Sequence, residues 1–281
     1  MKTYKYWARA SAPTANHHGI EITCYGGSND SVKHALRVAE ERAKAAANRF
    51  DPSSQTTTYD YANGFLREEI INELQDDGKT VAVITRNVAG CLVLNTPDVF
   101  FADIDYPAVQ PRPSFLSVIT TFFGGEKNSP ADDKVVSTVQ RIVDADSRLG
   151  IRLYRTKNGF RCLINTRTYD AMSDEANRLL QDFDADPLYV KLCKTQECFR
   201  ARLTPKPWRC GMTQPTTRFP FETSGELNRH RDWIKQYESV AKNYSTCMFI
   251  GQFGSEVIHP DVASVLRVHD QLACSGDAPL A

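Results

Sequence analysis

The chain has 281 residues, of which 41% are hydrophobic and 24% charged, as in an ordinary globular protein. Lysine plus arginine and aspartate plus glutamate number 34 each, so any preference for nucleic acid must come from local segregation of charge. No stretch reaches the ~18 apolar residues of a membrane span, and the first residues lack the apolar core of a signal peptide. We therefore expect a cytoplasmic protein without a membrane partner.

The first 78 residues are predicted to form an N-terminal α/β extension packed on the rest. Residues 19–25 alternate like a strand, and apolar residues at helical spacing predict a helix over 32–50. Residues 51–58 are polar and predict a loop. A second helix is predicted over 66–74, ending near Gly78.

Three short apolar runs follow, over 80–85, 91–94 and 99–105, and they predict an antiparallel meander whose last strand is interior. This last run ends in Asp103-Ile104-Asp105. Residues two apart on a strand face the same side, so the two carboxylates project together. They repel each other unless a proton, a cation or a basic side chain lies between them, and Mg²⁺ or Mn²⁺ shared with a substrate phosphate is one solution. The alternative is a strand end whose acids meet solvent or pair with arginines.

A basic hairpin is predicted next, after a helix that begins near Pro130 and ends at Gly150. Two strand-like runs, 151–156 and 161–166, flank Asn158-Gly159, the dipeptide most typical of a tight hairpin turn. With those two residues as the loop, Thr156 pairs with Arg161. One face of the hairpin then carries the side chains of Arg152, Tyr154, Thr156, Arg161 and Leu163.

A second basic region follows a helix over 174–183 and a strand-like run over 187–192. Arg200 and Arg202 share the polar face of a strand over 199–203. Pro205 and Pro207 then stiffen a loop that carries Lys206, Trp208 and Arg209. Such a loop suits a phosphate backbone with one base stacked on the indole, whereas in the alternative the indole of Trp208 belongs to the core.

The remaining sequence gives fewer indications of chemistry. Residues 79–212 are predicted to form the core domain and 213–281 a helical C-terminal extension, and one continuous domain stays open as the alternative. Cys193, Cys198 and Cys210 are predicted to be reduced structural thiols rather than zinc ligands, because their spacing fits no standard zinc pattern. The histidines show no ligand spacing, and no Walker A, Gly-x-Gly-x-x-Gly or Gly-x-Ser-x-Gly motif occurs.

Taken in order, an Asp-x-Asp strand, a helix, a Gly-containing hairpin and a later strand resemble the palm of the archaeo-eukaryotic primase and primase-polymerase superfamily, over roughly residues 80–209. The resemblance implies an α+β fold, a mixed and mostly antiparallel sheet with helices on one face, similar to an RRM core. It also implies catalytic metals on Asp103 and Asp105. Arg161 stands where the family has a histidine, and Arg200 and Arg202 stand where it has a third acid. Leu188-Tyr189-Val190 and the stretch Phe199–Gly211 are also similar to segments of a group of uncharacterised bacterial proteins.

Two functional hypotheses follow, with a purely structural network of arginines and aspartates as a third. In the first, the chain is a metal-dependent nucleotidyl- or phosphoryl-transfer enzyme with Asp103, Asp105 and Arg161 as catalytic residues. Both carboxylates then face a cleft with Arg161 and Arg200 or Arg202 on the opposite wall. In the second, it binds a nucleotide or single-stranded nucleic acid without catalysis. In the enzyme, phosphates are neutralised by Lys157, Arg161, Arg200 and Arg202; in the binding protein, the basic hairpin and the loop over 206–209 hold the ligand. Taken together, the candidates for binding phosphate or nucleic acid are Arg155, Lys157, Arg200, Arg202, Lys206, Trp208 and Arg209.

Overall fold

The computed structural model describes residues 1–14, 19–51, 66–106 and 130–281. Within them the fold is α+β and its strand ladders are antiparallel, as predicted. The strands are β1 (Tyr6–Pro13), β2 (Glu21–Ser28), β3 (Glu69–Asp76), β4 (Lys79–Arg86), β5 (Leu92–Thr96), β6 (Phe101–Asp105), β7 (Gly150–Thr156), β8 (Gly159–Ile164), β9 (Phe199–Arg202) and β10 (Cys247–Gly254). The helices are α1 (Val32–Asn48), α2 (Pro130–Ala145), α3 (Asp174–Asp182), α4 (Pro187–Gln196), α5 (Ser224–Ala241) and α6 (Pro260–Ala273).

The described strands form a two-stranded ladder and two four-stranded sheets. One sheet has the order β10-β7-β8-β6 and the other the order β3-β4-β5-β9, while β1 pairs with β2 beneath α1. The predicted meander is therefore wrong at its last step, because β5 pairs with β9 and β6 belongs to the other sheet. The hydroxyl of Thr96 donates to the carbonyl of Val81 and accepts from the backbone N–H of Val99. These two bonds bend the chain out of the first sheet, and β6 lies at an edge of the second rather than in its interior.

Buried aromatic rings join the two sheets. Phe100, between β5 and β6, lies 5.0 Å from Phe199 of β9, 5.4 Å from Tyr169 and 5.8 Å from Phe183, measured between ring centroids. All four side chains are buried. Burying these four rings away from water stabilises the contact between the sheets.

Helices cover both faces of the β6 sheet rather than one alone. Tyr154 and Arg155 are consecutive on β7, so their side chains point to opposite faces. Tyr154 packs against His269 of α6, whereas Arg155 bonds Asp132 of α2. The sheet is thus enclosed between α6 and α2, and its Asp103 face is the α6 side, because Tyr154 and Asp103 both lie opposite Arg161 of β8.

Two predicted elements have the wrong type. The segment expected to be a helix over 66–74 forms strand β3, which turns into β4 through Asp77 and Gly78, both at positive φ. The run expected to be a strand over 187–192 lies in helix α4. Asp186 caps that helix, because its carboxylate accepts from the N–H of Tyr189 at 2.7 Å, and Pro187 occupies the first turn.

The basic hairpin forms with a different register. Thr156 pairs with Gly159, so the loop is Lys157-Asn158 and Arg161 lies opposite Tyr154 instead of Thr156. Because the register differs by two residues, the predicted face is preserved. Gly159 is required by a close approach to β6, since a Cβ there would lie 2.0 Å from the carbonyl oxygen of Ile104.

Hydrogen-bonded ladders cross both predicted domain boundaries. The β3–β4 hairpin spans position 78, and β10, beyond position 212, pairs with β7. The division of the chain into domains stays a prediction. Among the described helices, none is long and apolar enough to cross a membrane.

Candidate functional site

Asp103 is held by Arg161, its direct partner across the β6–β8 ladder. Nε of Arg161 donates to one carboxylate oxygen at 2.7 Å, and Nη2 donates to the other at 3.2 Å. This two-point geometry is the strong form of an arginine–carboxylate pair. Arg161 therefore lies beside Asp103 on the neighbouring strand, and not on an opposite wall of a cleft as predicted.

Arg161 is inaccessible to a ligand. It is 1% exposed, and its Nη1 donates to the backbone carbonyl of Arg202 at 2.9 Å and lies 3.3 Å from Nε2 of His269. Burial works to lower the pKa of Arg161, but the carboxylate of Asp103 outweighs it and keeps the pKa above its ordinary value. Arg161 is therefore a permanent internal cation whose charge Asp103 neutralises.

Asp105 is in a different environment at the end of the same strand. Partial burial raises the pKa of Asp105, and the carboxylates of Asp103 and Asp186 raise it further. The positive charges of Lys206 and Arg209 act in the opposite direction. These five residues interact electrostatically, and we call them the acid–base cluster.

The basic side of this cluster is a rigid loop. Pro207, Trp208 and Arg209 form a single 3₁₀ turn. The residues that lead into this turn are held by Tyr237, whose hydroxyl donates to the carbonyl of Pro205. Trp208 is 50% exposed, and Nζ of Lys206 lies 5.5 Å from the centroid of its indole. Trp208 is therefore a surface residue, and the alternative of a core indole is excluded.

Arg209 connects this loop to the tip of the basic hairpin. With the side-chain amide of Asn158 oriented so that its oxygen faces the guanidinium, Oδ1 accepts from Nη2 of Arg209 at 2.7 Å. Lys157 is exposed beside it in the turn. The loop and the hairpin tip thus form one continuous basic surface, made of Lys157, Arg202, Lys206, Trp208 and Arg209, which we call the Trp208 surface.

Two cations of the Trp208 surface are poorly neutralised. Burial lowers the pKa of Arg202, and the nearby charge of Arg161 lowers it further. Burial also lowers the pKa of Lys206, with Arg202 and Arg209 adding to the effect and the carboxylate of Asp105 opposing it. Neither Arg202 nor Lys206 makes an ion pair with a carboxylate of the described residues; Arg202 donates only to the carbonyl of Thr204, at 3.1 Å. A bound anion would relieve this mutual repulsion.

Two of the predicted phosphate-binding residues lie elsewhere and already have carboxylate partners. Arg200 donates to Glu68 at 2.8 and 3.0 Å in a buried pair. Arg155 donates to Asp132 at 2.7 Å on the α2 side of the sheet, opposite to the Asp103 face. The structure therefore brings together Asp103, Asp105 and Arg161 with the Trp208 surface, and leaves out Arg155 and Arg200.

The donor set for a metal ion is weak. Within the described ranges, no group of three or more histidine, cysteine, aspartate or glutamate side chains is arranged to hold one. Both oxygens of Asp103 already accept from Arg161, so a cation bound there would have to compete with a buried guanidinium. Cys193, Cys198 and Cys210 are buried and form no disulfide. A divalent metal on Asp103 and Asp105 stays a prediction.

Three residues around the site are not among the predicted site residues. Asp186 belongs to the acid–base cluster, and its backbone N–H donates to the carbonyl of Asp103 at 2.9 Å. His269 and Asp270 lie behind Arg161, with Nδ1 of the histidine 2.9 Å from the carboxylate. The Asp-Pro dipeptide at 186–187 is a helix-start signal that would have located Asp186. No local pattern identifies His269, because its partners come from distant strands.

No family model, curated protein or solved structure matches this chain. The resemblance to the primase palm is therefore neither supported nor contradicted by relatives.

Proposed function

We propose that this chain binds single-stranded nucleic acid or a nucleotide at the Trp208 surface without catalysing transfer. The observation that carries the proposal is a half-exposed indole on a proline-containing loop, beside two cations that make no ion pair with a described carboxylate: Arg202 at the end of β9 and Lys206 in the loop. Stacking of a base on an exposed aromatic ring, with basic side chains on the phosphates, is how proteins hold single strands. The two prolines limit the freedom of the loop, so little entropy is lost on binding.

The salt dependence of binding tests this proposal. A fluorescently labelled single-stranded oligonucleotide is titrated with the protein at several salt concentrations, and anisotropy gives the affinity. Lys206→Ala should weaken binding for all sequences alike and reduce the slope of log affinity against log salt by about one unit. Trp208→Ala should cost about 1–3 kcal/mol of binding, and Trp208→Phe should recover part of that loss. Lys33→Ala, at an exposed lysine of α1, is the matched control and should change neither quantity.

Affinity that does not depend on salt, or that Lys206→Ala and Trp208→Ala leave unchanged, would contradict the proposal. Equal weakening by Lys33→Ala would also contradict it, because the effect would then come from net charge.

A metal-dependent nucleotidyl-transfer enzyme of the primase-polymerase type is the second candidate. It is favoured by the raised pKa of Asp105, caused by burial and by the neighbouring Asp103 and Asp186, because a divalent cation would stabilise these carboxylates. In this case Asp103 and Asp105 would hold Mg²⁺ or Mn²⁺, which would bind substrate phosphates.

Asp105→Asn separates the two candidates because they predict opposite signs. In the binding protein the variant removes a negative charge beside Lys206 and Arg209, and affinity for an oligonucleotide should rise about threefold, the size of an exposed charge interaction. In the enzyme the variant should abolish Mg²⁺- or Mn²⁺-dependent binding of a nucleoside triphosphate. The measurement is the affinity for each ligand with the metal and with a chelator.

A further inference from the structure

Cys247 and Cys274 bring two thiols together at the junction of β10 and α6. Their sulfur atoms lie 3.6 Å apart, and no other pair of described thiols is hydrogen-bonded. Cys247 begins β10 and is fully buried, whereas Cys274 follows the last turn of α6 and is partly exposed. A disulfide needs the sulfurs at about 2.05 Å, so a small side-chain rotation would be sufficient.

The backbone around the pair is held in place from both sides. The N–H of Thr246 donates to the carbonyl of Ala273 at 2.9 Å, and the N–H of Ser245 donates to the carbonyl of Pro279 at 3.0 Å. The start of β10 and the end of α6 are therefore fixed against each other, and the two cysteines stay within reach.

The groups around Cys247 favour its ionised form. Nε2 of His269 lies 3.9 Å from the sulfur, and the imidazole is bonded on its other side to Asp270. The hydrogen bond from Cys274 lowers the pKa of Cys247 well below its ordinary value, and His269 and Arg161 lower it further against the effect of burial. The remaining groups nearby are Tyr154 and Arg152, both bonded to Asp270. The thiolate is the form of cysteine that attacks sulfur.

We propose that Cys247 and Cys274 are an oxidisable dithiol that closes to an intramolecular disulfide under peroxide. The Cys247 thiolate attacks hydrogen peroxide, so that the O–O bond breaks, Cys247 becomes a sulfenic acid and the departing hydroxide takes up a proton and leaves as one water. The thiol of Cys274, whose pKa is raised by its hydrogen bond to Cys247, then attacks that sulfur, and its proton leaves with the displaced hydroxide as the second water. Overall, two thiols and one peroxide give one disulfide and two waters. This inference does not depend on the proposed nucleic-acid function.

Mass spectrometry of the full chain tests the proposal. The reduced protein is treated with hydrogen peroxide and unfolded, its free thiols are alkylated, and intact and peptide masses are measured. We expect a product about 2 Da lighter before alkylation, with two fewer of the eight cysteines labelled. One linked peptide pair should contain Cys247 and Cys274, and dithiothreitol should restore full labelling.

Two variants make the test specific. Cys274→Ser should abolish the crosslink, whereas Cys24→Ser, at another partly exposed cysteine, should retain it. Labelling of all eight cysteines after peroxide would overturn the proposal. A crosslink between other cysteines, or one that survives in Cys274→Ser, would overturn it as well.

Discussion

Replacing Asp103 by asparagine is the sharpest test of how the site is built. The substitution keeps the size of the side chain but removes the charge that neutralises Arg161. It also turns one acceptor into an NH₂ group that faces a guanidinium N–H. Because Arg161 is 1% exposed, water cannot take over the role of the lost carboxylate.

The expected cost follows from the contacts of this pair. Two hydrogen bonds of 2.7 and 3.2 Å join Arg161 to Asp103. Removing one partner of a buried ion pair costs about 3–5 kcal/mol, because the other charge stays buried and unpaired. The side chain of Asp103 is 30% exposed, so we expect the lower end, about 3 kcal/mol of unfolding free energy.

Urea unfolding followed by circular dichroism measures this loss, and the matched control is Asp105→Asn. Asp105 lies two residues further on the same strand face and makes no ion pair with a described residue, so this control should not destabilise the protein. The double variant Asp103→Asn/Arg161→Met removes both charges and should recover most of the loss. A cost below about 1 kcal/mol for Asp103→Asn, or a double variant as unstable as the single one, would refute the argument that Arg161 is a buried charge dependent on Asp103.

Three further predictions concern neighbouring features. Burial and the two neighbouring carboxylates raise the pKa of Asp105, so the folded state is less stable when Asp105 is ionised, and stability is lost as the pH rises above the ordinary pKa of 3.8. In melting curves recorded across that range, the Asp105→Asn variant should become increasingly more stable than the parent as the pH rises. A difference in melting temperature that stays constant with pH would contradict this. Trp208→Ala should change the free energy of unfolding by less than about 1 kcal/mol, because its indole is half exposed. Trp233→Ala should cost about 3 kcal/mol, because its ring stacks on that of Tyr237 with the centroids 5.0 Å apart. Similar losses for both variants in urea unfolding would refute the assignment of Trp208 to the surface. Gly159→Ala should lower the free energy of unfolding by about 3 kcal/mol, because the added Cβ overlaps the β6 backbone. Gly78→Ala meets no atom within 4 Å, but its φ of +75° should make it cost about 1–2 kcal/mol. Equal losses in urea unfolding would show that β6 and β8 can move apart to make room for the Cβ.

Much of the fold was predictable where a local pattern has one interpretation. The helices α1 and α2 show apolar residues at helical spacing or a helix-start signal, and the β7–β8 hairpin shows a turn dipeptide between alternating runs. The face of Arg161 was correct even with a wrong register, since a shift of two residues returns each side chain to the same side. Periodicity therefore predicted orientation better than it predicted partners.

The errors occurred where a short apolar run fits either element type. Strand β3 was predicted as a helix although Asp77-Gly78, a typical hairpin dipeptide, follows it directly. The run beginning at Pro187 was predicted as a strand although Asp186-Pro187 is a helix start. The placement of β6 in the second sheet was not predictable, because it depends on the pairing of β5 with β9 more than 100 residues later.

The same limit applies to the site. The sequence correctly indicated that Asp103 and Asp105 project from one strand face and that Lys206, Trp208 and Arg209 form a stiff basic loop. It could not tell that Arg161 would lie opposite Asp103 in the ladder, because that depends on which strand β8 pairs with. This pairing gives two carboxylates of one motif different roles: Asp103 neutralises an internal cation, while Asp105 faces the basic loop.

Our proposal of ligand binding rather than transfer chemistry rests on how charge is distributed across the cluster. Negative charge at Asp103 is already matched by Arg161 inside the protein, whereas positive charge at Arg202 and Lys206 has no described carboxylate partner. A site that recruits a metal needs excess negative charge, and one that recruits phosphate needs excess positive charge. Counted over the acid–base cluster and the Trp208 surface together with Arg161, five cations stand against the three carboxylates of Asp103, Asp105 and Asp186, and the half-exposed Trp208 next to them offers a stacking surface. An anionic ligand with an aromatic base satisfies both features at once.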